Sequence, residues 1–118
     1  MMLRFLNRYV DFLFILAYTL IMSELDKIKN VLRQNKPTLK KRFKVKSLGI
    51  FGSYVRGEQK KNSDVDILVE FNQTPGFFDY IRMEIRLSQI LKKRVDLVMK
   101  GALKSAIGRH ILQEVVYV

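Results

Sequence analysis

The stretch at residues 51–71 reads FGSYVRGEQKKNSDVDILVEF and joins two β-segments through a polar connection. Its second part, Val65–Phe71 (VDILVEF), alternates cleanly with a period of two, so Val65, Ile67 and Val69 face a core from a β-strand. Asp64 and Asp66 then share the opposite face at the start of that strand. Its first part closes an apolar run, residues 46–51, that reads as a shorter strand ending at Gly52. Ser53–Arg56 fits a single helical turn, and residues 55–63, with Gly57, Lys60, Lys61 and Asn62, form an exposed connection.

Upstream, Ser23 to Asp26 has the form of a capping box, S-x-x-D. Leu25, Ile28, Val31 and Leu32 follow at helical spacing, and Pro37 is expected to end that helix. Downstream, residues 77–92 predict a helix with Tyr80, Met83, Leu87, Ile90 and Leu91 on one stripe and Arg82, Arg86, Gln89 and Lys93 opposite. Residues 94–99 (RVDLVM) predict a third strand. Ser105–Glu114 predicts a last helix with Ile107, Ile111 and Leu112 inward, and residues 115–118 a final edge strand. No repeat or low-complexity stretch interrupts the pattern, which is α/β or α+β: a small β-sheet flanked by helices.

A chain of 118 residues fits one domain. With 48% hydrophobic and 28% charged residues it is neither disordered nor collagen-like. It has no cysteine, which excludes disulfides, thiolate metal sites and cysteine nucleophiles. His110 is its one histidine, so any metal would be held by Asp or Glu oxygen. The formal charge of +11 suits a polyanionic or acidic partner. Nine basic residues and no acid lie between Lys27 and Lys46; they form either a solvated helix face or a surface for an acidic partner or a nucleotide tail.

Residues 12–22 (FLFILAYTLIM) form an apolar run after Arg4 and Arg8. Eleven residues span about 16 Å as a helix, short of a ~30 Å hydrocarbon core. No A-x-A pattern marks a cleaved signal. Three readings stand: an added helix packing on a partner, a membrane-associated segment, or an extension upstream of a true start at Met22. The expected division is a 1–22 extension and a 23–118 domain.

The chemistry lies between Gly52 and Asp96. Two carboxylates about 6–7 Å apart repel by about 2–3 kcal/mol at an effective dielectric of 20. Asp64 and Asp66 are thus either a pair awaiting a divalent cation, for which hard oxygen ligands suit Mg2+, or exposed strand-end residues. Gly52 lets backbone approach a ligand closely, and Ser53 adds a hydroxyl at a helix start, which suits phosphate as well as ordinary capping. Asp96, flanked by Val95 and Leu97, is either a third ligand facing Asp64 and Asp66 or a partner of Arg94 or Lys93. Three carboxylates around one or two Mg2+ ions are what nucleotidyl transfer needs.

Gly52–Glu58 (GSYVRGE) with Ser63–Val69 (SDVDILV) resembles the GS-x10-D-x-D signature of the DNA polymerase β-like nucleotidyltransferases, and more closely the minimal, MNT-type members. The resemblance runs from Ser23 to the carboxyl end and includes Val95-Asp96-Leu97-Val98. It implies the polymerase β-like fold and a cytoplasmic antitoxin paired with a HEPN-domain toxin, HepT. The antitoxin would transfer AMP from ATP to a tyrosine of the toxin and silence its ribonuclease activity. Gly52 and Ser53 would hold the triphosphate, and Asp64, Asp66 and Asp96 would coordinate Mg2+, two ions in all. Arg56 would contact phosphate or brace the loop, and Glu58 would be structural. Larger members carry acceptor-binding domains for which this length leaves no room, so the acceptor is expected on a separate molecule, with no stable membrane association. The alternatives are a binding-only antitoxin and a transferase acting on RNA ends or a small molecule.

Overall fold

A computed structural model describes residues 2–118, with the side chains of residues 8–18 and 20–118. The elements run α1 (Met2–Ile21), α2 (Glu24–Phe43), β1 (Val45–Phe51), α3 (Ser53–Arg56), β2 (Val65–Phe71), α4 (Phe77–Leu91), β3 (Val95–Met99), a short 3-10 turn, α5 (Ser105–Glu114) and β4 (Val116–Tyr117). The expected mixed α/β architecture is present. Four strands form one sheet in the order β3-β2-β1-β4, with β1 antiparallel to both neighbours and β2 parallel to β3 through α4.

The two faces of β2 are filled differently. Val65, Ile67 and Val69 meet Ile28, Leu32, Leu39 and Phe43 of α2 and Met83, Leu87 and Leu91 of α4 in the main core. On the other face Leu68 packs with Phe51 and Ile111 under α5. Asp66 lies on that second face, beyond the small apolar cluster, and is half-buried.

Ser23 caps α2 as expected: its Oγ accepts from the Asp26 N–H at 3.1 Å and donates to Asp26 Oδ2 at 2.8 Å. The helix does not stop at Pro37, however; it continues to Phe43. The proline ring is exposed, and the stripe Ile28, Leu32, Leu39, Phe43 carries core packing straight past it. One lost backbone hydrogen bond is outweighed by two large buried side chains. The helix ends instead at Lys44, which takes a left-handed conformation, φ 57°.

Helix α4 follows its expected stripe, with Met83, Leu87 and Leu91 buried and Tyr80 and Ile90 packed alongside. It stops one residue early, at Leu91, because Lys92 turns left-handed and its N–H caps the Ser88 carbonyl. The third strand begins at Val95, not Arg94, and its outer edge is covered by α4. The Leu97 N–H donates to Glu84 Oε2 at 3.1 Å, and the Tyr80 hydroxyl donates to the Leu97 carbonyl. That shields an edge strand from foreign pairing. Helix α5 has the expected bounds but a narrower inward face. Only Gly108 and Ile111 are buried, while Ile107 and Leu112 are exposed, because α5 covers a single strip of sheet. The final strand, Val116–Tyr117, pairs along β1 opposite Gly49 and Ile50.

The apolar run before Met22 lies in one continuous helix, α1, most of whose described large side chains, Phe12, Phe14, Ile15 and Leu20 among them, are exposed. It meets α2 where Asn30 Nδ2 donates to the Tyr18 hydroxyl at 3.2 Å. No described helix is long and apolar enough to cross a membrane. The side chain of Arg4 falls outside the described residues.

Candidate active site

One rung of the sheet assembles the site. In the antiparallel β1/β2 pair Phe51 lies opposite Asp66, and in the parallel β2/β3 pair Asp66 lies opposite Asp96. Neighbouring strands stand about 4.8 Å apart. The end of β1, Asp66 and Asp96 are therefore side by side, and the turn beginning at Gly52 rises directly beside Asp66.

That turn is specified by glycine. Gly52 is buried at φ +80°, a region side chains disfavour, and a Cβ built there would overlap the Asp66 carboxylate. The Val55 and Arg56 N–H groups both return to the Gly52 carbonyl, at 3.1 and 3.2 Å, closing the turn of α3. The cap is Gly52 itself, with Ser53 the first helical residue rather than the N-cap. Tyr54 points into the core and its hydroxyl reaches the Ser63 carbonyl at 3.4 Å, so the turn is tied to the residue preceding Asp64.

The three aspartates differ in environment. Asp64 sits one residue ahead of β2, exposed, with Oδ1 accepting from Arg94 Nε at 3.1 Å. Asp96 is exposed on β3. The arginine expected as its partner is engaged by Asp64, and Lys93 pairs with Glu24 at 3.6 Å while lying over the Tyr54 ring. Asp66 is the most confined. Its carboxyl is pushed up to about 6, first by burial, then by the like charges of Asp96 and Asp64; Arg56 works against that rise and Glu114 adds to it. Asp66 thus feels the charge of both other aspartates.

Whether these residues suit a divalent cation can be judged from the donors. They are hard carboxylate oxygens, one of them destabilised by its acidic neighbours, and a cation would relieve that repulsion. The chemistry fits Mg2+. Among the described residues, though, no three acidic or histidine side chains stand close enough to form a finished ligand cluster. The carboxylates share a site without already being drawn into one coordination shell.

Arg56 braces the loop. Its Nε donates to Glu58 Oε2 at 3.0 Å and its Nη1 to Glu114 Oε1 at 2.6 Å. Glu114 was missed by sequence reasoning. Its other oxygen, Oε2, accepts the Gly52 N–H at 2.9 Å. No local motif signals a contact between residues 62 apart in the chain. Beside Asp64 opens a cleft of about 450 Å3 lined by Lys61, Asn62, Ser63, Lys92, Lys93 and Arg94. None of the rung's carboxylates lines it; the cleft adds a cationic flank suited to anions.

Comparison with known proteins shows the family. The sequence profile of the nucleotidyltransferase domain matches residues 21–118. The chain is 50% identical over 97 residues to the protein adenylyltransferase MntA of Thermococcus cleftensis, covering 82% of this chain and 98% of the relative. A candidate protein adenylyltransferase of Methanocaldococcus jannaschii is 47% identical over 98 residues, 82% of this chain and 100% of the relative. Among solved structures, a toxin–antitoxin crystallised with AMP-PNP superposes with a TM-score of 0.60 at 28% identity, over 81% of this chain and 72% of the other. A variant MntA–HpeT toxin–antitoxin does so with a TM-score of 0.59 at 26% identity, over the same shares of the two chains. The chain therefore belongs to the nucleotidyltransferase domain family, as a minimal nucleotidyltransferase of the MntA type.

Proposed function

We propose that this nucleotidyltransferase is an antitoxin that transfers AMP from ATP to a tyrosine of a HEPN-domain toxin and thereby neutralises its ribonuclease activity. The observation that carries the reading is the rung Phe51–Asp66–Asp96, with the Gly52 turn set against Asp66. Identity of 50% to an MntA adenylyltransferase and likeness to toxin–antitoxin complexes support the acceptor and partner.

In this reading the Gly52–Ser53 turn seats the triphosphate. Backbone comes close because Gly52 has no side chain, and the Ser53 hydroxyl donates to a phosphate oxygen. Asp64, Asp66 and Asp96 would hold Mg2+, which supplies charge neutralisation for the phosphates and lowers the barrier to in-line attack. Asp96, exposed on β3, accepts a hydrogen bond from the attacking tyrosine hydroxyl and orients it. Arg56 holds the turn through Glu58 and Glu114. The 1–22 segment is an addition to the 23–118 catalytic domain.

ATP labelled at the α-phosphate, Mg2+ and the partner toxin, with RNA in a parallel reaction, test this directly. Label on a toxin tyrosine is the expected result. A tight complex without label would indicate neutralisation by binding alone. Label confined to RNA would indicate a nucleic-acid acceptor, and either outcome overturns the proposal.

A further inference from the structure

The brace behind the Gly52 turn comes from the far end of the chain. Glu114 is the last residue of α5, and its side chain is only 12% exposed. One oxygen takes the Gly52 N–H at 2.9 Å and the other takes Arg56 Nη1 at 2.6 Å. A carboxylate that binds both a backbone amide and a guanidinium fixes both ends of the Gly52–Arg56 turn at once.

Its own position is set from both sides. Ahead of it, Ile111 is buried against Phe51 and Leu68, and Gly108 lies so close to Leu103 that an added Cβ would stand 3.1 Å from the Leu103 Cβ. Behind it, β4 pairs with Gly49 and Ile50, and the Val118 N–H donates to the Leu48 carbonyl at 3.0 Å. The carboxyl-terminal segment thus grips the last residues of β1 and delivers a carboxylate to the residue that follows them. An acid there adds negative charge near Asp66 and near any phosphate on the turn. That is a standing electrostatic cost, and a glutamine or hydrophobic residue would avoid it. The arrangement gains instead a fixed turn, with Arg56 as the counter-charge.

We propose that Glu114 is a positioning residue for nucleotidyl transfer: it holds the Gly52–Arg56 turn in the conformation that receives the nucleotide's phosphates. The inference rests on the reading of Gly52 and Ser53 as the phosphate seat. In the alternative, Glu114 would compete with phosphate for the Gly52 amide, and removing it would improve binding.

The full-length chain and its Glu114→Ala, Glu114→Gln and Ser53→Ala variants are compared by calorimetric titration with Mg2+ and AMP-PNP, by amide hydrogen exchange over residues 52–56, and by thermal melting. Gln keeps an acceptor for Gly52 but turns a donor toward Arg56, so it separates the two halves of the brace and, being isosteric, keeps the test valid should the Ala variant fold poorly. The expected result is graded: about a threefold weaker Kd for Gln and tenfold or more for Ala, with faster exchange at residues 52–56 and melting points that do not follow the same order. Faster exchange with an unchanged Kd in both variants overturns the positioning role, and a tighter Kd shows Glu114 to be a competitor. In either case Ser53→Ala still weakens binding, so the phosphate seat stands. A wild-type protein that does not bind AMP-PNP, or a Ser53→Ala variant that binds as wild type does, overturns the seat and the inference together.

Discussion

At Asp66 the carboxyl titrates near pH 6, above its ordinary 3.8, because burial and the neighbouring Asp96 and Asp64 disfavour its charge. The folded state therefore holds a proton that the unfolded chain has already released. In the metal-free protein this contribution to stability is fully present below about pH 4, falls as pH rises to about 6, and is level above. With solvent screening at this half-exposed site its size is of the order of 1–2 kcal/mol. Asp66→Asn is thus expected to raise the melting point in chelator at neutral pH by a few degrees and to flatten the profile between pH 4 and 6. Melting curves across that range check it; a lower melting point for the Asn variant at neutral pH would make the carboxylate structural. Gly52→Ala works in the opposite sense. At φ +80°, with its new methyl group overlapping Asp66, it is expected to cost about 1–3 kcal/mol in urea unfolding and to lower transfer at least tenfold. Unchanged stability and activity would mean that the turn is not held against Asp66.

Among the elements, α2 carries a proline its packing overrides. Pro37 has no N–H to give the Arg33 carbonyl, yet the helix persists because Leu39 and Phe43 are buried beyond it. Pro37→Ala restores that bond on an exposed surface and is expected to stabilise the protein by about 1–2 kcal/mol, read from the urea midpoint. A destabilised variant would show that the ring itself is needed. The same contest explains what the sequence revealed and what it hid. β2 was legible to the residue because its alternation meets one large core on one face. The D-x-D spacing and the third-strand reading likewise brought Asp66 and Asp96 onto one rung beside Gly52, while Asp64 lies one residue ahead of β2. Pro37 misled because a local breaker says nothing of distant packing. The inward face of α5 misled because periodicity does not reveal how little sheet the helix covers, leaving Ile107 and Leu112 exposed. Glu114 stayed hidden because its partner, Gly52, is 62 residues away.

Over the whole molecule, the Cα radius of gyration is 17.0 Å, against ~13.5 Å for a compact chain of this length. The excess belongs with α1, a 20-residue helix about 30 Å long whose described apolar side chains are largely exposed. Every buried apolar side chain among the described residues lies at Ile28 or beyond. A variant beginning at Met22 is therefore expected to melt cooperatively, within about 1 kcal/mol of the full chain, and to retain transfer; circular dichroism and labelled-ATP assays check this, and a collapse of the transition would show that α1 is part of the folded unit. If one rung of the sheet does the chemistry, the intact mass of the partner toxin after incubation with ATP and Mg2+ reports it. The wild-type chain is expected to add AMP to the toxin, and Asp66→Asn, Asp96→Asn and wild type in chelator to add none. Transfer at wild-type level by either variant would show that the rung's carboxylates do not carry the reaction.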